Sequence, residues 1–359
     1  MMADSAGVVF WLLLGTALAG ALGAALTRWL SAVPAWFARV LDRPNARSLH
    51  TQPVPRTGGL AVLAGWLAGL AVIAPATARQ QPVAPEFFGF LVLAVVLVGS
   101  VSWVDDWRGV AWPWRLGAHL GAALVVVAGV GLSAAQGVLP GMGGTVPTLV
   151  AAPLMFLFVA WMINLYNFMD GLDGLAAGMT LFGFGALAVL GAQGGAWLFA
   201  GIGATLAAAA FGFLVAGNWP PARIFLGDVG AATLGLLAAA LSLWGARDGL
   251  FPLWAAVLAF SPFVVDATWT LIRRALRRER LWEAHRSHHY QRLALVGWPA
   301  RRILPRAYAL MAAAAASAVA APRLHPTEQV LLLALWAGVY ALIHLRVRLL
   351  ERAGDARGM

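Results

Sequence analysis

Six carboxylates lie where an apolar chain has least reason to carry charge. They are Asp105 and Asp106 in "VSWVDDWRG", Asp170 and Asp173 in "NLYNFMDGLDGLAAG", Asp228 in "GNWPPARIFLGDVGAATLG" and Asp266 in "FSPFVVDATWTLIRR". Each adjoins or interrupts a long apolar run, and a charge inside a bilayer costs roughly 2.5–3.5 kcal/mol on insertion scales. One such Asp alone is explained by helix capping, and Asp228 before Val229-Gly230 reads as an N-cap. Three acidic loops on one membrane face would repel one another unless a cation sits between them. With no cysteine in the chain and few histidines near these acids, the oxygen ligands point to a hard ion, Mg²⁺ or Mn²⁺. Mg²⁺ held by one or two carboxylates usually also takes substrate phosphate oxygens.

Asp170 and Asp173 have helix-neighbour spacing. A helix beginning near Asp170 would project both from one face of its first turn, where free N–H groups favour an anion. Gly171 and Gly174 would let backbone approach a ligand closely. Asp266 differs from the other acids. It precedes Arg273 by seven residues, about 10 Å inside the span end at 1.5 Å per residue. It is either a functional intramembrane acid or a buried acid bonded to a neighbouring Thr or Asn.

The matching cations come from two segments. In "RRALRRERLWEAHRSHHYQRL" the run Arg273 to Arg280 is explained by anchoring to anionic lipid. Arg286, His288, His289 and Arg292 instead form a group of donors suited to phosphate oxygens. The stretch "RPNARSLHTQPVPRTGG" is extended by its prolines. Its Arg43, Arg47, His50 and Arg56 either contact an anion or simply set topology. One membrane face thus offers ligands for a divalent cation and donors for phosphate. That combination fits a phosphorylated lipid meeting a water-soluble phosphorylated substrate.

The elements that must position these residues are membrane helices. Hydrophobic residues make up 61% and charged residues 11% of 359, far from the soluble norm. Eleven apolar segments of near-spanning length are predicted, at about 7–30, 58–78, 86–104, 112–133, 148–166, 174–192, 196–216, 230–246, 249–273, 304–322 and 327–349. The eighth is short and needs tilting or lengthening. The first has no basic residue before Arg28, so it is not a cleavable signal peptide, and the N-terminus is expected outside. With that start, 22 of the 25 basic residues, all Arg, fall on the inner side, as the positive-inside rule requires. The same rule accounts for the net charge of +10 without nucleic acid. The fold class is therefore all-α and polytopic, with the C-terminus inside. Residues 1–359 form a single transmembrane catalytic domain, its active-site loops at about 31–57, 104–113, 164–174, 217–230 and 274–303.

In their order along nearly the whole chain, these motifs resemble the polyprenyl-phosphate N-acetylhexosamine-1-phosphate transferases of glycosyltransferase family 4. The ordered set is "RSLHTQPVPRTGG", the Asp105-Asp106 pair, "NLYNFMDGLDGLAAG", "GNWPPARIFLGDVGAATLG", Asp266 before a basic helix end, and "HRSHHYQRL". The resemblance implies transfer of a sugar-1-phosphate from a UDP-N-acetylamino sugar to polyprenyl phosphate, with Mg²⁺, releasing UMP. It implies a multi-pass enzyme of the bacterial inner membrane in contact with its lipid, with its site on the cytoplasmic face and a homodimer as the expected assembly. By position, Asp105 and Asp106 match the pair linked to activation of the lipid phosphate, and Asp228 matches the metal ligand. Asn167, Asp170, Gly171 and Asp173 match the nucleotide and active-site stretch. Asn218 matches an Asn near the nucleotide, Phe225 an aromatic near the uracil, and His288 and His289 the end of a histidine motif.

Two departures separate this chain from the peptidoglycan enzyme of the family, phospho-MurNAc-pentapeptide translocase. Ser287 replaces the first of three histidines, and "VPRTGG" stands where that enzyme has a lysine-containing "TPTMGG" loop. The "HRSHHYQRL" form is closer to initiators of O-antigen and related cell-surface polysaccharides. The expected reaction is a single displacement, with Asp105 deprotonating or orienting the lipid phosphate. The alternative is double displacement, with Asp170 as covalent nucleophile. Two other classes make different demands on the sequence. A transporter would place its ion sites near the midplane, and an intramembrane prenyltransferase would carry a second DxxxD-type cluster, which "DDWRG" does not supply.

Overall fold

The computed structural model describes residues 2–32, 40–42, 53–77, 85–131, 147–280 and 285–355. Helices α1 (Met2–Ala32), α2 (Gly58–Thr77), α3 (Pro85–Arg108) and α4 (Trp112–Val130) are followed by α5 (Thr148–Met169), α6 (Leu175–Gln193) and α7 (Trp197–Phe213). Then come α8 (Gly227–Arg247), α9 (Leu253–Ala259), α10 (Ser261–Leu276), α11 (His289–Leu295), α12 (Ala300–Ala320) and α13 (Pro326–Asp355). Among the described residues ten helices are long and apolar enough to cross a membrane, or eleven if α9 and α10 count as one bent span. The all-α polytopic expectation holds. Apolar runs of this length close every backbone hydrogen bond within the helix, which is what lipid demands.

Two spans differ from the sequence expectation. The ninth is not one rod over 249–273, because α9 and α10 meet at 83°. Pro262 lies in the first turn of α10. It lacks an N–H, and its ring clashes with the preceding turn, so the helix restarts there. The eighth is longer than 230–246, since α8 begins at Gly227.

Helix α8 is the axis of the molecule. Its most apolar window is fully buried, against 11% for α13 at the periphery. Its Gly, Ala and Leu residues leave room for α3 and α5 to pack on it. Short connections then alternate the helices, so that the α3–α4, α5–α6 and α7–α8 links share one end of the bundle. A two-residue antiparallel pair completes that end, with Leu41 opposite Pro55 and Asp42 opposite Val54. Phe225 extends it, its N–H donating to the Pro55 carbonyl at 2.8 Å. The carbonyls of Phe225 and Leu226 accept from Gly58 and Gly59 at 2.9 and 2.7 Å, satisfying amides that open α2 and lack helical partners.

Candidate active site

Helix α8 starts at a tight point. Gly227 has φ +75°, and a Cβ there would lie 2.1 Å from the Arg56 carbonyl oxygen. Only glycine fits, and it turns Asp228 into the first turn of α8. Asp228 is not the N-cap that the sequence suggested. That role falls to Asp106 at the end of α3, whose two oxygens accept from the N–H groups of Asp228 and Val229, each at 3.2 Å. A carboxylate borrowed from another helix thus satisfies the orphan donors of α8 and faces its positive end.

Asp105 points to the other side. Its Oδ1 accepts from the Val110 N–H at 2.6 Å, and its Oδ2 from Arg115 Nη1 at 2.6 Å. The same Nη1 reaches Asp228 Oδ2 at 3.3 Å. Arg115, in the first turn of α4, therefore bridges two acids brought together from α3 and α8. In the sequence Arg115 is one of the inner-side arginines that the positive-inside rule explains. The signal that could have found it is its place inside an apolar helix start, where an unpaired charge is costly.

Asp170 and Asp173 do not open α6, contrary to the sequence expectation. Asp170 ends α5 as its C-cap, and α6 begins at Leu175 after Gly174. Asp173 Oδ2 accepts from the Ala222 N–H at 2.9 Å, tying the α5–α6 link to the α7–α8 link. Asn218 does the same: its Oδ1 accepts from Gly174 N–H at 2.9 Å, and its Nδ2 donates to the Ile224 carbonyl at 3.0 Å. It is buried at the end of a π-helical turn, Leu214–Asn218. Each end of its amide thus carries one bond within the fold, leaving one N–H and one lone pair of the amide. Gly171, expected to approach a ligand, makes room instead for Tyr290, whose hydroxyl would lie 2.3 Å from a Cβ there. That hydroxyl donates to the Phe168 carbonyl at 3.1 Å.

Asp170 is left as the odd acid. No hydrogen bond to its carboxylate is found among the described residues. Burial, and next the Asp228 and Asp106 carboxylates, push it well above the usual carboxylate range, with Arg56 opposing. Asn167, one turn earlier on α5, has a buried Oδ1 without a partner.

The histidine segment lies beyond Asp170. His288 stacks between Phe168, at 6.3 Å between ring centroids, and Tyr290 at 6.0 Å. Its Nδ1 is buried and lies 3.6 Å from Asp266 Oδ1, beyond ordinary hydrogen-bond length. The neighbouring His285 is neutral near pH 7, since burial, then His288 and Arg274, push it down to about 4. His289 and Arg292, expected to hold phosphate, are committed elsewhere. His289 Nδ1 lies 2.8 Å from Asp266 Oδ1, and its Nε2 lies 3.1 Å from His344 Nδ1. Arg292 pairs through Nε and Nη2 with both oxygens of Glu351. Asp266 also accepts from Thr270 at 3.2 Å and from the His289 backbone N–H at 3.0 Å, so it has the neighbouring Thr and more. Arg286 is half-buried in the stretch leading into α11, and Phe225 is half-buried beside the strand pair. Arg43, Arg47 and His50 lie outside the described residues.

The donor set fits a hard divalent cation. Asp228 and Asp105 converge within reach of one another and share the Arg115 guanidinium, and Asn167 on α5 keeps a buried amide oxygen without a donor. No three acid or histidine side chains among the described residues could hold an ion by themselves. Mg²⁺ commonly takes one or two carboxylates beside water and substrate oxygens.

The model of glycosyl transferase family 4 matches residues 88–246, from α3 to the end of α8. A probable undecaprenyl-phosphate N-acetylglucosaminyl 1-phosphate transferase of Bacillus subtilis is 30% identical over 261 residues, covering 72% of this chain and 70% of the relative. The decaprenyl-phosphate N-acetylglucosaminephosphotransferase of Mycolicibacterium smegmatis is 30% identical over 358, covering 92% and 86%. A phospho-N-acetylmuramoyl-pentapeptide-transferase of Synechococcus sp. is 30% identical over 276, covering 70% and 71%. With an acidic end assembled from three interhelical links and relatives matched over most of both chains, this protein belongs to glycosyl transferase family 4.

Proposed function

We propose that the protein transfers N-acetylhexosamine-1-phosphate from a UDP-sugar to a polyprenyl phosphate, giving polyprenyl-diphosphate-sugar and UMP. The observation that carries this reading is the convergence of Asp105, Asp106, Asp170 and Asp228 from three links at one end of a membrane bundle. The names of the relatives support UDP-N-acetylglucosamine as the first donor to test. Ser287 and the "VPRTGG" stretch favour a polysaccharide or lipid-carrier initiation step over the peptidoglycan one. The arginine distribution supports a cytoplasmic active face on the plasma membrane.

Asp228 would hold Mg²⁺, with Asp105 kept beside it by Arg115; the ion when bound neutralises diphosphate charge and polarises the attacked phosphorus. The lipid phosphate oxygen attacks the β-phosphorus of the UDP-sugar. A new P–O bond forms, the bond to the bridging oxygen breaks, and UMP leaves with the electron pair. Asp170 takes the proton carried by a monoprotonated lipid phosphate. This differs from the expectation for Asp105, whose oxygens are already engaged by Val110 and Arg115. Arg115, Arg56 and His288 supply positive charge and donors to phosphate oxygens, since such reactions rest on positioning and electrostatics.

The test is to incubate the purified protein with polyprenyl phosphate, Mg²⁺ and a panel of UDP-sugars, measuring UMP release and lipid product. Failure with every UDP-N-acetylhexosamine overturns the reading. Exchange of UMP into UDP-sugar without lipid, or a trapped phospho-Asp170, would replace the single displacement by a covalent one.

A further inference from the structure

Helix α13 is the most lipid-exposed of the spans among the described residues, with 11% of its window buried, yet three of its polar side chains turn inward while its arginines stay exposed. Tyr340, His344 and Glu351, with Trp336 and Val347, recur at intervals of three and four, which places them on one face. Each polar member meets a partner. The Tyr340 hydroxyl lies 2.6 Å from Ser261 Oγ at the α9–α10 bend. His344 Nδ1 meets His289 Nε2 at 3.1 Å. Glu351 accepts through both oxygens from the Nε–Nη2 edge of Arg292. His289 and Arg292 are themselves three residues apart on α11, so the two helices match in register along one seam.

The chemistry of the middle rung is directional. Asp266, as a carboxylate, accepts the Nδ1–H of His289. A neutral His289 then has only a lone pair at Nε2, so His344 donates from Nδ1. This fixes the tautomer and ring plane of His289, as outer partners of functional histidines commonly do. Trp269, edge-on at 4.9 Å between centroids, holds the His344 ring in turn. What α11 carries forward is His288 at its N-cap and Tyr290 against Gly171 and Phe168, one to two residues from Asp170. From this geometry we propose that His344, supported by Glu351, is a positioning residue for the transferase. It fixes His289 and α11 so that His288 and the Asp170 link keep their working geometry. α13 is thus a support that holds the site in place rather than an added span.

The inference rests on the transfer reading, and the experiment separates the two. The full-length enzyme and its His344→Ala, His344→Asn and His344→Gln variants are assayed for kcat and KM by UMP release, with melting temperature measured on each. An Asn amide sits near the Nδ1 position, and a Gln amide near Nε2. Leu342→Ala, at a position 66% exposed on α13, controls for shortening a side chain on that helix. The expected result is a fall of about 10–100-fold in kcat for Ala and Gln, with KM for the UDP-sugar near wild type. Asn should recover most of the loss, and Leu342→Ala should match wild type. Wild-type activity in His344→Ala overturns the inference. So does equal impairment of Asn and Gln in step with lowered melting temperature. If the Ala variant cannot be purified, the Asn–Gln contrast decides. A wild-type protein that releases no UMP from any UDP-sugar overturns the transfer reading itself.

Discussion

The two polar regions at this end of the bundle are built on opposite principles. Around α10, α11 and α13 the acids Asp266, Glu351 and Glu279 each have a counterpart, in His289, Arg292 and Arg274 (at 2.8 Å), and the surplus charge is positive, with a buried Arg273 Nη1 left over. Around the α3–α4, α5–α6 and α7–α8 links, Asp105, Asp106, Asp170 and Asp228 converge with Arg115 bridging two of them, and Asp170 is left with no hydrogen-bond partner among the described residues. A region that satisfies itself is scaffold, because adding a ligand would break pairs already made. A region with surplus negative charge gains most from a cation and the phosphate that travels with it. The difference separates residues that hold the site from residues that work in it.

The sharpest way to break this comparison is to remove charge from the unbalanced side. Asp228→Asn keeps the shape of α8's first turn but weakens the cation's main ligand. A loss of about 10³-fold or more in UMP release is expected, the scale seen when a principal electrostatic contributor is removed. Chelation by EDTA should abolish wild-type activity, with Mg²⁺ restoring it. An Asp228→Asn enzyme with near-normal turnover, or turnover insensitive to EDTA, would place the cation elsewhere.

Asp170→Asn sharpens the contrast by separating stability from activity. An acid whose folded-state pKa is raised keeps its proton after the unfolded chain has released one. Stability is therefore intact below the ordinary carboxylate range and falls as pH rises through it. Burial, with Asp228 and Asp106, raises Asp170 in this way, and an amide escapes the penalty. The variant should melt higher than wild type near pH 7 without divalent cation, while losing about 10²–10³-fold in kcat, the range for a lost proton acceptor. Thermal melts across pH 4–8 beside UMP assays would check it. A variant that melts lower yet stays active would make Asp170 a structural acid.

Much of this was readable in the sequence because membrane physics is strict. Apolar runs near 20 residues had to be helices, and acids beside them had to share a face once the runs alternated direction. The connections were not readable, because they depend on geometry between elements distant in sequence. Nothing local says that Asp106 caps α8, 122 residues away, or that Glu351 closes on Arg292, 59 residues away. Arg115 looked like any other arginine until α3 and α8 were side by side. The bend at Pro262 was hidden for a different reason: hydropathy over 249–273 stays high across it, and only the missing N–H marks it. Where residue type implied chemistry, the structure sorted one set into two: the Asp170 carboxylate has no hydrogen bond among the described residues, whereas Asn218, His289 and Arg292 each bond within the fold.

Asn218 offers the smallest effect and the cleanest discrimination between those roles. If its amide held the nucleotide, Asn218→Ala would raise KM for the UDP-sugar at unchanged stability. Its observed bonds predict the reverse. Removing the amide strands the buried Gly174 N–H and the Ile224 carbonyl. Each unsatisfied group costs about 1–3 kcal/mol. The melting temperature should fall by several degrees, while KM measured well below the transition shifts by less than about threefold, a change worth under 1 kcal/mol. Asn218→Asp would keep the acceptor for Gly174 but lose the donor to Ile224, and should fall between Ala and wild type in stability. The order Asn, Asp, Ala in melting temperature with a flat KM would make Asn218 a clamp between two active-site links. A steep KM with flat melts would return it to the nucleotide.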